Sequence, residues 1–277
     1  TDFAFKKIFG SDQSKDILIS FLNAILYNGN STIEDLQILN PYQAPKIRGL
    51  KDTYLDVRAK LNDQTKVIIE MQVLNVEGFE KRILYNAAKS YSIQLEKGED
   101  YNLLNPVIAL TITDFEMFDL DQVISRFILK EKDYLVDYNI YDLELVFVEL
   151  PKFNKELDQL ETLSDKWIYF LQQARELDEI PTNMEEIQAI KKAFEIANEA
   201  SLNPDELEDL QKREMYLQDQ KNALTKALNQ GIKQGEKQKS LEIAKKLIGV
   251  LDDTTISQTT GLTLEEINDL KTGSLAL

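Results

Sequence analysis

The 277-residue chain contains no cysteine, no histidine, one tryptophan and six prolines. Without histidine there is no imidazole base, no Ser-His or Cys-His couple and no His-ligated zinc. Without cysteine there is no thiolate nucleophile, thiolate metal site or disulfide. Catalysis, if any, must run on carboxylates, Lys, Arg and Tyr. The metal chemistry left open is that of hard, oxygen-preferring cations, Mg²⁺ or Mn²⁺, which carboxylates, carbonyls and water suit. No apolar run approaches the roughly 20 residues of a membrane span, and residues 1–10 lack the apolar core of a signal peptide. The expectation is a soluble, cytoplasmic protein without a membrane partner, long enough to bury a sizeable core in one large or two smaller domains.

What the chain has in excess is negative charge, 48 acids against 32 bases for a net −16. It is unevenly placed: residues 98–220 hold 29 acids and 11 bases, a sum of −18, which leaves +2 for the two ends together. Within residues 221–251 seven lysines face Glu236 and Glu242, giving +5. Phosphate attraction is therefore open at the two ends and implausible in the middle. The lysines of the tail have an alternative reading as the solvated side of an exposed helix.

Apolar residues Phe5, Ile8, Phe9, Ile17, Leu18, Phe21, Leu22 and Ile25 recur at helical spacing, broken at Gly10-Ser11-Asp12, which predicts two short helices. Residues 35–39 read as a short strand, and 52–61 and 66–74 as a β-hairpin across Asn62-Asp63-Gln64-Thr65. An amphipathic helix is predicted over 79–97, ending at Gly98, and strands over 106–113, 123–129 and 143–150. Beyond Pro151 the pattern is helical, with breaks at Pro181 and Asn203-Pro204. The predicted division is an α/β domain over 1–150, an acidic helical extension over 151–229 and a small helix-turn-helix-like tail over 230–277.

The hairpin carries the chemistry. With its turn centred on Asp63, positions whose numbers sum to about 126 face each other, so Asp56 lies opposite Glu70. Glu70 and Gln72 share a face because side chains repeat every second residue. Asp56, Glu70 and Gln72 then converge, at a cross-strand Cβ separation of roughly 5 Å. Two carboxylates so close repel unless a cation sits between them, and a divalent cation would also bind a phosphate oxygen and acidify a water. Glu70 lies inside the apolar run Val67-Ile68-Ile69-Glu70-Met71-Gln72-Val73-Leu74, where an unpaired carboxylate is costly. The alternative is a structural hairpin, with Asp56 paired to Arg58 or Lys60 and Glu70 at an exposed edge.

The run Lys51-Asp52-Thr53-Tyr54-Leu55-Asp56-Val57, with Glu70-Met71-Gln72 following, resembles the recombination-promoting nuclease/transposase family of the PD-(D/E)XK nuclease superfamily. Asp2-Phe3-Ala4-Phe5-Lys6-Lys7-Ile8-Phe9-Gly10 is similar to its N-terminal signature, as is the run from Asp16 to Ala24. Lys81-Arg82-Ile83-Leu84-Tyr85, Gln94-Leu95-Glu96-Lys97-Gly98 and Asn105-Pro106-Val107-Ile108 are similar to its following helix and strand. The resemblance covers most of residues 1–150 and implies a restriction-endonuclease-like mixed sheet flanked by helices. It further implies Mg²⁺-dependent cleavage of DNA, with Asp56 and Glu70 holding the metal and Gln72 in the place of the superfamily's lysine. Gln is neutral and leaves the lysine's task unfilled, although its carbonyl and amide can orient water or phosphate. Lys89 is a candidate for a displaced lysine, or else a solvated helix residue. Arg82 is placed to reach a phosphate or to pair with acids such as Glu96. Asp12 and Asp16 are candidates for the acid that the superfamily often draws from its first helix.

In the tail, Gly231 and Gly235 stand one helical turn apart, and leucines before them recur at 3–4 spacing. This predicts a homodimer through the C-terminal helices, although Glu214 and Lys221 interrupt a heptad core. Residues 241–251, 256–260 and 263–270 resemble a helix-turn-helix with Gly261 at the turn and a Thr263/Glu266 capping box. Glu265, Glu266 and Asp269 would repel phosphate, so a packing or dimerisation unit is the competing reading. The sequence as a whole points to a metal-dependent DNA endonuclease, transposase-like, in DNA recombination or defence. The alternative is a catalytically weak or inactive nuclease fold acting as a protein-interaction module.

Overall fold

The helical spacing of the first residues yields α1 (Asp2–Phe9) and α2 (Lys15–Tyr27), with Phe5, Phe9, Ile17, Phe21 and Leu22 buried. This computed structural model describes residues 2–43, 53–174, 177, 179–198 and 203–272; Lys51 and Asp52 lie outside them. Next come β1 (Leu36–Leu39), β2 (Tyr42–Gln43), β3 (Thr53–Tyr54), β4 (Val57–Leu61), β5 (Lys66–Gln72), α3 (Phe79–Ser92), β6 (Val107–Thr113), β7 (Ile124–Phe127) and β8 (Leu143–Glu149). After them follow α4 (Leu163–Gln173), α5 (Thr182–Glu185), α6 (Gln188–Ala197), α7 (Pro204–Leu247), α8 (Asp253–Thr260) and α9 (Leu264–Thr272).

Six strands form one mixed sheet in the order β1-β4-β5-β6-β8-β7, and β2 pairs with β3 in a separate ribbon. β5, β6 and β8 run parallel, while β1, β4 and β7 are added antiparallel. The hairpin register is Val57↔Ile69, Arg58↔Ile68, Ala59↔Val67 and Lys60↔Lys66, centred on Asp63 as the sequence spacing requires. Alternation gives the sheet two apolar faces. Val57, Ala59, Val67, Ile69, Leu110 and Val146 face α1, α2, α4 and α6. Ile68, Ala109 and Phe147 face Phe79, Ile83 and Ala87 of α3. The layers are helices, sheet, helix, the mixed sheet flanked by helices expected from the sequence.

Two differences from the predicted elements bear on the site. The strand predicted over 52–61 is interrupted at Leu55-Asp56, and the alternation breaks there: Leu55 joins the α3-side cluster and Val57 the opposite one. The helix predicted to run to Lys97 stops at Ser92. Gln94 is instead bonded to the chain at Asn105, donating to its carbonyl (2.9 Å) and accepting its amide (3.1 Å). The Gln94 side chain thus closes the segment between α3 and β6 where the sequence pattern predicts more helix.

The chain divides into two compact units, Thr1–Glu214 and Met215–Leu277. In the first, Trp167 of α4 is fully buried, its ring centroid 5.8 Å from Phe9, 5.7 Å from Phe21 and 5.6 Å from Phe170. In the second, Leu241, Ala244, Ile256, Leu262, Ile267 and Leu270 form a small core. Gly261 takes the left-handed conformation at the turn (φ 72°), where Gly is the least strained residue. Thr263 and Glu266 cap α9 reciprocally (2.8 and 3.2 Å). Among the described residues no helix is long and apolar enough to cross a membrane.

Replacing Trp167 with Ala empties the centre of the aromatic cluster and is expected to cost about 3–5 kcal/mol. Chemical denaturation reads this directly, and a loss below about 1 kcal/mol would put Trp167 outside the cooperative core.

Candidate active site

The hairpin delivers two carboxylates to the C-terminal end of β5, the end of an α/β sheet where ligand crevices form. Glu70 and Gln72 lie on the face of β5 that carries Ile68, turned toward α3. β5 is an interior strand between β4 and β6, so Glu70 is not at a sheet edge. Asp56 stands in the interruption before β4. Its Oδ2 accepts the Met71 backbone N–H at 2.7 Å, which ties it across the hairpin beside Glu70. Its Oδ1 lies 3.0 Å from Lys6 Nζ of α1. Arg58 is engaged elsewhere, donating to the carbonyls of Asn40 (2.5 Å) and Tyr42 (3.3 Å).

Helix α3 supplies the rest from one stripe, Arg82, Asn86 and Lys89, positions i, i+4 and i+7. The Arg82 guanidinium bridges Glu70 Oε1 and Gln72 Oε1, both at 2.7 Å, and its carbon lies 5.0 Å from the Phe79 ring centroid. Asn86 donates to Glu70 Oε2 at 3.4 Å, and its own buried Oδ1 has no hydrogen-bond partner among the described residues. Gln72 donates to the Leu74 carbonyl at 2.7 Å, so both ends of its amide are held. Lys89 is 8% exposed and donates to Thr53 Oγ1 at 3.0 Å, which is not a solvated helix position.

Burial raises the Glu70 carboxyl above its ordinary value; Arg82 and Asn86 pull it back only in part, and the Asp56 charge pushes it further up. Among the described residues no three acids stand together as a metal-binding group. Asp16 is held by Lys192 of α6 at 2.8 Å. Asp12 opens a short 3₁₀ turn, and its side chain lies outside what the structure describes. The donors that do converge are the carboxylate oxygens of Asp56 and Glu70. That set fits a hard divalent cation, and Asp56 and Glu70 would hold it.

Asn86 and Lys6 escape a reading of the sequence in different ways. Asn86 is legible from the helical period once Arg82 and Lys89 are placed on one face. Lys6 has no local signal, since its partner lies fifty positions on and only the packing of α1 brings them together.

A mixed six-stranded sheet flanked by helices is consistent with a PD-(D/E)XK nuclease-like fold. The chain belongs to the PD-(D/E)XK nuclease family transposases, whose family profile matches residues 1–227. Comparison with curated proteins and with solved structures returned no match. Membership supports a nuclease or transposase-like function, implies DNA binding, and places the chain in a superfamily that generally uses divalent metals.

Because the fold raises the Glu70 carboxyl, it favours the neutral form over the charged one, and stability is lost as pH rises through that raised value. Below the unfolded-state value both states are protonated and the penalty is absent. Glu70→Gln is therefore expected to raise the melting temperature near pH 8 without metal, by roughly 1–3 °C, and to leave it unchanged near pH 4. A melting temperature lowered near pH 8 would show that the Arg82 pair stabilises Glu70 as an ion.

Proposed function

We propose that this protein is a metal-dependent DNA endonuclease, transposase-like, that hydrolyses phosphodiester bonds in DNA recombination or in defence against foreign DNA. The observation that carries this reading is the Asp56/Glu70 pair, tied together across the hairpin at the end of β5 and left with a carboxyl pushed toward its neutral form. Bound Mg²⁺ or Mn²⁺ supplies Lewis acidity and a water acidified for attack on phosphorus. Asp56 and Glu70 hold the cation, Asp56 being positioned by the Met71 amide and Glu70 by Arg82 and Asn86. Gln72, its carbonyl and amide both fixed, sets the place of Arg82 rather than moving a proton. The Arg82 guanidinium, held by Glu70 and Gln72, orients the carboxylate that takes the cation. Water adds to phosphorus, a P–O ester bond breaks, and the proton that the water gives up is balanced by the one that the leaving oxygen takes from solvent. The division that goes with this reading is a nuclease part over 1–150, an acidic extension over 151–229 and a helical tail over 230–277.

Supercoiled plasmid incubated with the purified protein is expected to be nicked with Mg²⁺ or Mn²⁺ and not with EDTA. Asp56→Ala and Glu70→Ala should each slow nicking on the order of 100-fold or more. Nicking that survives both substitutions, or that persists in EDTA, would defeat the assignment. A second reading, an interaction module on a nuclease fold, draws on the exposed apolar segment that includes Leu129, Tyr134, Leu135, Val136, Tyr138 and Tyr141. It becomes the better one if the wild-type protein does not cleave.

The same proposal extends to a homodimer through α7. Leu224, Leu228 and Ile232 are exposed, and a Cβ at Gly231 or Gly235 would meet nothing within 4 Å. Each glycine costs a helix interior about 1 kcal/mol, and a second helix lying close along this face would offset it. Leu224→Glu with Leu228→Glu is expected to halve the mass seen by light scattering, and a wild-type protein already at the mass of one chain would dismiss the dimer.

A further inference from the structure

Gln72 brings no charge to the site, and Arg82 is committed to Glu70 and Gln72 together. Among the described residues, the cation that reaches the carboxylate pair from outside the hairpin and α3 is Lys6. Phe5 and Phe9, buried on either side of it in sequence, anchor α1 in the core, while the Lys6 side chain stays 51% exposed and its ammonium sits on Asp56 Oδ1. The other oxygen of Asp56 accepts the Met71 amide, and a divalent ion that binds Asp56 through Oδ1 meets the Lys6 ammonium there. Two cations on one carboxylate oxygen repel each other. A long, half-exposed lysine is the partner that can yield.

We propose that Lys6 takes the place of the superfamily's lysine: it holds Asp56 while no divalent cation is bound, leaves Oδ1 when one binds, and then sets its ammonium against the DNA phosphate at the cleaved bond. This rests on the metal-dependent nuclease reading above. The consequence is a pair of opposite effects from one residue, since Lys6 weakens metal binding and strengthens catalysis. A lysine kept only to hold α1 to the hairpin would produce neither.

The test is calorimetric titration of Mn²⁺ into the full chain without DNA, together with plasmid cleavage at saturating Mn²⁺, for wild type, Lys6→Met, Lys6→Arg and Lys7→Met. Lys6→Met is expected to bind Mn²⁺ roughly two- to fivefold tighter, the factor a partly exposed ion pair is worth, yet to cleave on the order of 100-fold more slowly. Lys6→Arg should restore both the competition and much of the rate. Lys7→Met should match wild type, because Lys7 pairs with Glu206 and not with the site. If Lys6→Met binds Mn²⁺ no tighter than wild type, or cleaves as fast, the Lys6 assignment fails while a wild type that binds and cleaves keeps the nuclease reading. A wild type that does neither overturns both.

Discussion

Two carboxylates forced together at the end of a strand are the constraint around which the site is arranged. Two like charges about 5 Å apart at an effective dielectric near 20 repel by about 3 kcal/mol, and the Asp56 charge adds to the upward shift of the Glu70 carboxyl. Each group around Asp56 and Glu70 reduces that repulsion from a different direction. The Met71 amide comes from the hairpin itself, Lys6 from the helix layer on one side of the sheet, and Arg82 with Asn86 from the layer on the other. The pair stands where both layers can reach it, at the open end of the sheet.

That placement follows from a fault in the strand. Along β4 and β5 regular alternation sends Val57, Ala59, Val67 and Ile69 to one core and Ile68 to the other. At Leu55-Asp56 the alternation lapses, and Asp56 belongs to neither layer. A continuous strand would have turned Asp56 squarely toward α3, out of reach of α1. The interruption gives it a backbone donor on β5 and a lysine on α1 together. The aromatic cluster of Phe5, Phe9, Phe21 and Trp167 then fixes α1 against the sheet, so the position of Lys6 is set by core packing and not by its own ion pair. An ion pair half open to solvent is worth too little to place a helix.

The hairpin register, both sheet faces and the shared face of Glu70 and Gln72 were legible because they follow from period-two alternation and one turn position, whereas Asp56 joins them through the interruption before β4. The polar stripe of α3 was half legible: Arg82 and Lys89 drew notice as charges, while Asn86, uncharged and between them, did not. What stayed hidden depends on contacts between residues far apart in sequence. Lys6 meets Asp56 only through the docking of α1. The end of α3 at Ser92 is set by Gln94 and Asn105, and helical periodicity alone carries on to Gly98. Lys89 showed the limit of residue type as a guide, for a lysine on a helix reads as solvated and this one is buried against Thr53.

The direction in which Glu70 is shifted separates a poised site from an ordinary buried ion pair. Asp165 of α4 is a fair comparison, a largely buried carboxylate held by Lys155 at 2.9 Å, and the bonds it accepts from Lys155 and Thr162 outweigh its burial and hold it below the ordinary value. Glu70 has a cation closer still, Arg82 at 2.7 Å, and is nonetheless pushed above. Burial is the largest cause of the Glu70 shift, Arg82 offsets it only in part, and Asp56 adds a second negative charge that Asp165 does not face. Around Asp165 the surrounding donors suffice for the charge; around Glu70 they fall short. A structural pair under selection for stability alone would close that deficit, as replacing one carboxylate by its amide would do. Leaving it open keeps a surplus of negative potential among oxygen donors at the mouth of a sheet, and a divalent cation is the charge that such a deficit lacks.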